Sequence, residues 1–152
     1  MSVGTLCNRT TVVARRGNSV VETAKIMREN HVGSVIVVDD ADGAPTPVGI
    51  VTDRDLVLEV MAAELDPDTV TIGDLVAREL VTARETDSLW DTLQRMRTHG
   101  TRRMPVVDHQ GHLVGILSVE DMLELLAVEL NELARVSARE QALEEKMRPA
   151  VR

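Results

Sequence analysis

Thr52 and Ser118 each stand three residues before an aspartate, Asp55 and Asp121, and three residues after a glycine, Gly49 and Gly115. Both runs, Val48-Gly49-Ile50-Val51-Thr52-Asp53-Arg54-Asp55 and Val114-Gly115-Ile116-Leu117-Ser118-Val119-Glu120-Asp121, read as an apolar strand passing straight into an acidic helix start. Hydroxyl and carboxylate at this spacing can satisfy each other's backbone amides and merely cap the helix. The chain repeats that pattern at Ser19/Glu22 and Ser88/Asp91. The same place can also hold an anion, because unpaired amides and the positive end of the helix dipole suit a phosphate. A glycine just upstream lets a ligand or a backbone come close. Occurrence at the same place in two copies favours this second use over capping alone.

The elements that must position these residues repeat as well. Copy one reads as a strand (Thr11 to Ala14), a turn (Arg16-Gly17-Asn18) and a helix opened by Ser19 and Glu22, with Val20, Ala24 and Met27 on one face. That helix fades at Asn30-His31-Val32-Gly33. A buried strand (Val35 to Val38) stops at Asp39-Asp40, and a loop (Asp42 to Pro47) leads to the strand Val48 to Val51. A helix from about Asp53 to Leu65 follows. Copy two matches it, with Leu89, Leu93 and Met96 on its first helix, a strand from Met104 to Val107, a shorter hairpin loop (Asp108 to Gly111) and a strand from Leu113 to Leu117. Asp66-Pro67-Asp68 separates the copies, and a short helix around Ile72–Ala77 leads into the second. The expected organisation is repeat 1 over 1–66, repeat 2 over 67–126, and a helical extension over 127–152. Duplication on this scale predicts a pseudo-twofold α/β (α+β) domain of two β-α-β-β-α repeats, since each half alone has too little surface to bury.

Past Asp121 the helical pattern continues through Leu123, Leu126, Leu130 and Leu133, with Val136 and Leu143 beyond, and Glu and Arg fill the other face up to Pro149. Such a helix either pairs with another subunit or partner, or ends as a solvated, frayed tail.

The 152 residues suit one domain or two halves sharing a core, and 43% are apolar, almost all aliphatic: Trp90 is the single aromatic residue. A net charge of −8 argues against a phosphate-backbone nucleic-acid binder and weakly against adsorption to acidic membranes, although Arg102-Arg103 can hold one small anion. No stretch has signal-peptide form or bilayer-spanning length, and Cys7 is the sole cysteine, a small apolar residue near the first strand. A cytoplasmic location is expected. His31, His99, His109 and His112 lack metal-ligand spacing, so no metal is expected. Neither a Gly-x-Ser-x-Gly elbow nor a Walker or dinucleotide glycine pattern occurs, which argues against an enzyme.

The order of elements, the paired Gly-x-x-Thr/Ser-x-x-Asp endings and the strand Arg102-Arg103-Met104-Pro105-Val106-Val107-Asp108 together resemble a tandem pair of cystathionine-β-synthase (CBS) domains, a Bateman module, over about residues 4–126. The resemblance implies a regulatory sensor that binds an adenosyl ligand (AMP, ADP, ATP, NAD or S-adenosylmethionine) in two clefts between the repeats. It assigns ribose hydroxyls to Asp55 and Asp121, and phosphate to Thr52 and Ser118 with the nearby helix amides. One cleft would combine Thr10, Thr11 and Val32 with Arg103, Ser118 and Asp121. The other would combine Thr82 and Thr101 with Thr52 and Asp55, and backbone near Val32 or Thr101 would read the adenine edge. Arg103 matches Ser34 of copy one, so tighter binding is expected at the Asp121 cleft, with Arg54 as the compensating cation in the other.

The resemblance also implies a homodimer, with Leu56, Val57, Val60 and Met61, and Met122, Leu125, Leu126 and Glu129, as candidate dimer surfaces. The alternative is a protein-interaction scaffold with vestigial clefts, acting through the C-terminal helix and dimer surface.

Overall fold

The structure is a computed structural model that describes residues 1–40, 43–76 and 79–148. It parts into two units at Leu117/Ser118. In the first unit, β1 (Val13–Arg15), α2 (Val20–Asn30), β2 (Ser34–Asp39) and β3 (Thr46–Thr52) follow a short α1 (Val3–Leu6). A helical turn α3 (Asp53–Asp55) runs into a π-helical stretch (Leu56–Met61), and a 3-10 turn covers Ile72–Leu75. Then β4 (Ala83–Arg84), α4 (Leu89–His99), β5 (Arg103–Val107) and β6 (Leu113–Ser118) repeat the pattern, and α5 (Val119–Met147) closes the chain.

Two three-stranded sheets result, in the orders β1-β2-β3 and β4-β5-β6. β1 runs parallel to β2 with Val13 opposite Ile36, as a strand-helix-strand crossover requires, and β4 runs parallel to β5 with Ala83 opposite Val106. β2 and β3 are antiparallel, with Ser34 opposite Thr52 and Val37 opposite Gly49. Val35 to Val38 are all buried, so the unbroken apolar run is a central strand covered on both faces. In β3 the burial alternates, with Pro47, Gly49 and Val51 inside.

The helix starting at Val20 is capped as expected. Ser19 Oγ accepts from Glu22 N (3.1 Å) and Glu22 Oε2 accepts from Ser19 N (2.8 Å). Its counterpart is not: Ser88 makes no side-chain cap bond, and Asp91 is exposed. Instead Asp87 Oδ2 accepts from Arg84 N (3.0 Å), and Ser88 forms a bridge with Ser2. A second correction concerns the buried stripes. Thr23 and Thr92, both 0% exposed, take the core positions with Val20 and Met27 and with Leu89 and Met96, whereas Ala24 is exposed and Leu93 only half-buried. Each threonine hydroxyl donates to the carbonyl four residues back (Ser19 O and Ser88 O, 2.9 Å), so its polarity costs nothing inside.

Three expected boundaries move. The helical run after Thr52 ends at Met61 with Ala62 as its cap, short of Leu65. The short helix before copy two is one 3-10 turn ending at Leu75, and Ala77 lies outside the described residues. Asp42 and Pro149 lie outside them as well.

The segments that precede the two sheets are exchanged. Residues at the N-terminus bond to the second copy: Val3 N donates to Asp87 O (2.9 Å), Gly4 N to Glu85 O (2.8 Å), and Asn8 and Ile116 exchange both bonds at 2.9 Å. The segment preceding the second copy bonds to the first: Val20 N donates to Val70 O (3.1 Å), Ile72 N to Asn18 O (2.8 Å) and Gly73 N to Arg16 O (3.0 Å). Val3 and Ile72, the apolar anchors of these matching segments, are 0% exposed. Copy one therefore closes its core with residues that follow it, and copy two with residues far upstream. Leu113 N also donates to Pro45 O (2.8 Å), joining the two hairpins.

The second unit contains the single 29-residue helix α5, continuous through the expected junction at residue 126. Leu123, Leu130, Leu133 and Val136 are exposed along it. Among the described residues no helix is long and apolar enough to cross a membrane.

Candidate functional site

The two strand–helix junctions fold as reciprocal capping boxes. Thr52 Oγ1 accepts from Asp55 N (3.1 Å), and Asp55 Oδ2 accepts from Thr52 N (2.8 Å). At the other junction Ser118 Oγ accepts from Asp121 N (3.1 Å), while Asp121 Oδ2 accepts from Ser118 N (2.7 Å) and from Ser118 Oγ (2.6 Å). All four residues are half-buried. Each carboxylate thus spends Oδ2 on its helix, and a carboxylate has a second oxygen with lone pairs of its own.

The flanking glycines serve the chain itself. A Cβ on Gly49 would lie 2.6 Å from the Val76 side chain, and one on Gly115 would lie 2.8 Å from Cys7 Sγ and 2.9 Å from Asn8 O. The close approach expected there is made by the exchanged segments, and only glycine permits it.

Around Thr52 the first sheet gathers several expected residues at one end. Thr52 lies opposite Ser34, Asp53 N donates to Gly33 O (2.9 Å), and Val12 O accepts from Ile36 N (3.0 Å), so Thr10 and Thr11 enter from the same side. Thr10 is exposed, whereas Thr11 and Val32 are half-buried. Val32 follows His31, which ends α2 in the left-handed conformation (φ 54°), and its N–H donates to Met27 O (3.0 Å). Copy two reproduces this turn with Gly100 (φ 63°) and Thr101, whose N–H donates to Met96 O (3.0 Å). Thr101 Oγ1 also donates to Arg103 O (2.7 Å), and Arg103 opens β5 with an exposed side chain, as Ser34 opens β2.

Thr82 stands elsewhere. With Arg84, Asp87, Arg95, Val107, Asp108, His109, Gln110 and Gly111 it lines an open hollow of about 640 Å³, which Thr101, Thr52 and Asp55 do not line. The Arg95 guanidinium binds this wall together, donating to Thr82 O (3.3 Å) and Thr92 Oγ1 (3.1 Å) and pairing with Asp87. Nothing local in the sequence marks this cluster, because its members come from β4, α4, β5 and the loops beside them. Burial pushes the Asp87 carboxyl up, but the Arg84 N–H and the Arg95 guanidinium together hold it below the ordinary range. The His112 N–H does the same for Asp108, against a smaller opposing effect of burial and helped by the Gln110 N–H.

Glu22 and Asp74, bonded within their capping boxes, are lowered too. A carboxylate depressed in the folded state adds stability above its unfolded pKa, and that contribution disappears as pH falls through the folded value. Calorimetric melting temperatures should therefore stay level between about pH 7 and 5 and drop below about pH 4. A melting temperature unchanged down to about pH 3 would show that these bonds stabilise nothing.

Two β-α-β-β-α sheets joined by exchanged segments, each ending in the same capped strand–helix junction, define a tandem repeat module with matching ends. The profile of the CBS domain family matches residues 3–62 and 72–128, so the chain belongs to the CBS domain family and carries its two domains in tandem. It is 34% identical over 125 residues to protein MK0525 of Methanopyrus kandleri, a match that covers 82% of this chain and 62% of that relative, just under two thirds of its length. Among solved structures it is similar to the CBS domain protein PAE2072 from Pyrobaculum aerophilum complexed with AMP. That likeness has a TM-score of 0.68 at 30% identity and covers 84% of this chain and 99% of the other. It is also similar to the CBS domain pair of protein MJ0100 in complex with 5′-methylthioadenosine and S-adenosyl-L-methionine. There the TM-score is 0.72 at 25% identity, with 85% of this chain and 98% of the other covered.

Proposed function

We propose that this chain is a regulatory module that binds an adenosyl ligand at its paired strand–helix junctions and carries no catalytic activity of its own. The observation that carries the reading is the duplicated box. Asp55 and Asp121 are both half-buried, and both bond their helix through Oδ2. The other carboxylate oxygen accepts from the ribose hydroxyls. The Thr52 and Ser118 hydroxyls and the first helix amides take the phosphate. Backbone near Val32 and Thr101, at the two matching left-handed helix ends, reads the adenine edge. Arg103 brings a charge where copy one has Ser34, so the two ligand positions differ in affinity.

Relatives of the same fold with AMP, or with S-adenosyl-L-methionine and 5′-methylthioadenosine, support the ligand class. The module works as a cytoplasmic homodimer. Ligand binding biases its geometry by no more than the difference in affinity between the two states.

Calorimetric titration with AMP, ADP, ATP, NAD and S-adenosylmethionine tests the proposal. At least one ligand should bind saturably with a Kd below about 1 mM, and Asp121→Ala should weaken it at least about tenfold. Flat heats for all five at millimolar concentration would overturn it.

A further inference from the structure

We infer a further ligand position, apart from the strand–helix junctions: the hollow beside β4 and α4 holds the phosphoryl group of a small phosphorylated molecule. The two copies differ at this place residue by residue. Arg15 stands opposite Val38 in the first sheet and Arg84 opposite Val107 in the second, so His109 takes the place of Asp40. In copy one Arg15 is ion-paired with Asp40, and Arg16 with Asp39 (2.8 Å). In copy two a histidine stands where the carboxylate partner would be. The Arg84 guanidinium makes no hydrogen bond or ion pair among the described residues. Arg95 replaces Ile26 at the same helical position and adds a second guanidinium to the wall.

Acidic groups line the hollow too, but the chain itself satisfies them. Asp87 Oδ2 accepts from Arg84 N (3.0 Å) and from Arg95, and Asp108 Oδ1 accepts from Gln110 N (2.8 Å) and His112 N (2.9 Å). Arg95 spends three N–H groups on Asp87, Thr82 O and Thr92 Oγ1, and a guanidinium has two more. What remains is donors: the Arg84 fork, those two N–H groups of Arg95, the His109 ring and the Gln110 amide. Donors arriving from β4, α4 and the hairpin loop suit a phosphoryl group with three outer oxygens. A planar carboxylate is already saturated by one guanidinium. A hollow of about 640 Å³ exceeds what inorganic phosphate fills and lies within the range of small-molecule sites. Val107 is its one large apolar side chain among the described residues, so the remainder of the ligand is polar, as in a polyol phosphate. The hollow sits at the C-terminal end of β5, about 13 Å along the strand from Arg103, which opens it.

NMR titration of the full chain with glycerol 3-phosphate and glucose 6-phosphate, neither of which carries adenine, tests the assignment, with succinate as the carboxylate comparison. At least one ester should bind saturably with a Kd below about 5 mM, and at least about fivefold more tightly than succinate. Arg84→Gln, at an exposed position, should weaken it at least about tenfold with the melting temperature unchanged. His109→Asp should do the same, because the new carboxylate gives Arg84 the partner that Arg15 has in copy one. Asp55→Ala and Asp121→Ala should leave ester binding as it is, which separates this position from the adenosyl sites. The inference is overturned if neither ester binds saturably up to about 20 mM, or if succinate binds equally well. Binding indifferent to both Arg84→Gln and His109→Asp would overturn it as well. So would binding lost in Asp121→Ala, which would put the phosphoryl group at a junction.

Discussion

Replacing Ile72 by alanine should lower the unfolding free energy by about 2–5 kcal/mol, the cost of a buried isoleucine truncated in a site that cannot collapse around the gap. Ile72 is 0% exposed and packs in the core formed by Ala14, Val20, Met27, Val35, Val37, Val51, Leu56 and Val60, all of which precede it in the chain. It is also the apolar anchor of a single 3-10 turn, fixed by the bonds from Ile72 N to Asn18 O and from Gly73 N to Arg16 O. Losing so much from a total stability of about 5–15 kcal/mol should lower the melting temperature by about 5–20 °C. Leu65→Ala is the control, because Leu65 is 48% exposed and its truncation should cost within about 0.5 kcal/mol. Denaturant unfolding of the two variants side by side decides the matter. Equal losses would mean that the inter-repeat segment does not close the first core.

The second large effect lies where the N-terminal segment docks on copy two. Gly115→Val should destabilise by about 1–3 kcal/mol, the usual cost of forcing extra atoms into a packed site. Its Cβ alone would approach Cys7 Sγ to 2.8 Å and Asn8 O to 2.9 Å. Part of this obstacle is backbone, so a rotamer change cannot relieve it. The strand would have to release the paired bonds between Asn8 and Ile116. Freed from that contact, buried Cys7 should react faster with a thiol reagent, which reports the local opening separately from global unfolding. Gly17, where an added Cβ would meet nothing within 4 Å, is the comparison site, and Gly17→Ala should leave stability level or slightly raised. Similar behaviour of the two variants, with unchanged Cys7 reactivity, would argue against the exchanged N-terminal segment.

Both predictions concern a feature that the sequence does not display. The duplication, the apolar run Val35 to Val38 and the capping pair Ser19/Glu22 are local signals, and each appears in the structure as expected. Exchange of residues 1–8 onto copy two is a pairing across more than half the chain. No spacing or composition within either segment records it.

Pattern misled in two places for identifiable reasons. Val20, Ala24 and Met27 fit the helical period, but so do Val20, Thr23 and Met27, and period alone does not separate them. A helical threonine can satisfy its hydroxyl on the carbonyl four residues back, and Thr23 and Thr92 both do. Leu56, Val57, Val60 and Met61 form two adjacent apolar columns, and pattern alone cannot say which faces inward. Leu56 and Val60 belong to the first core and cannot form a dimer surface, whereas Val57 and Met61 are exposed.

The candidate site was legible as far as its boxes. Thr52 with Asp55 and Ser118 with Asp121 were recognisable because capping chemistry fixes both residue types and spacing. The hollow holding Thr82 was not, since it depends on Arg95 reaching across from α4 to Asp87 and the Thr82 carbonyl. The glycines signal a close approach by a ligand or a backbone, and the chain's own Val76, Cys7 and Asn8 make it.

The claim that the helix-start carboxylates hold a ribose is tested most directly by the ratio of dissociation constants for AMP and 2′,3′-dideoxy-AMP on the unmodified chain. Hydrogen bonds to a charged acceptor contribute about 1.5–3 kcal/mol, so removing both hydroxyls should weaken binding by about tenfold to a hundredfold or more. Equal affinity for the two compounds would mean that Asp55 and Asp121 cap their helices and do nothing else.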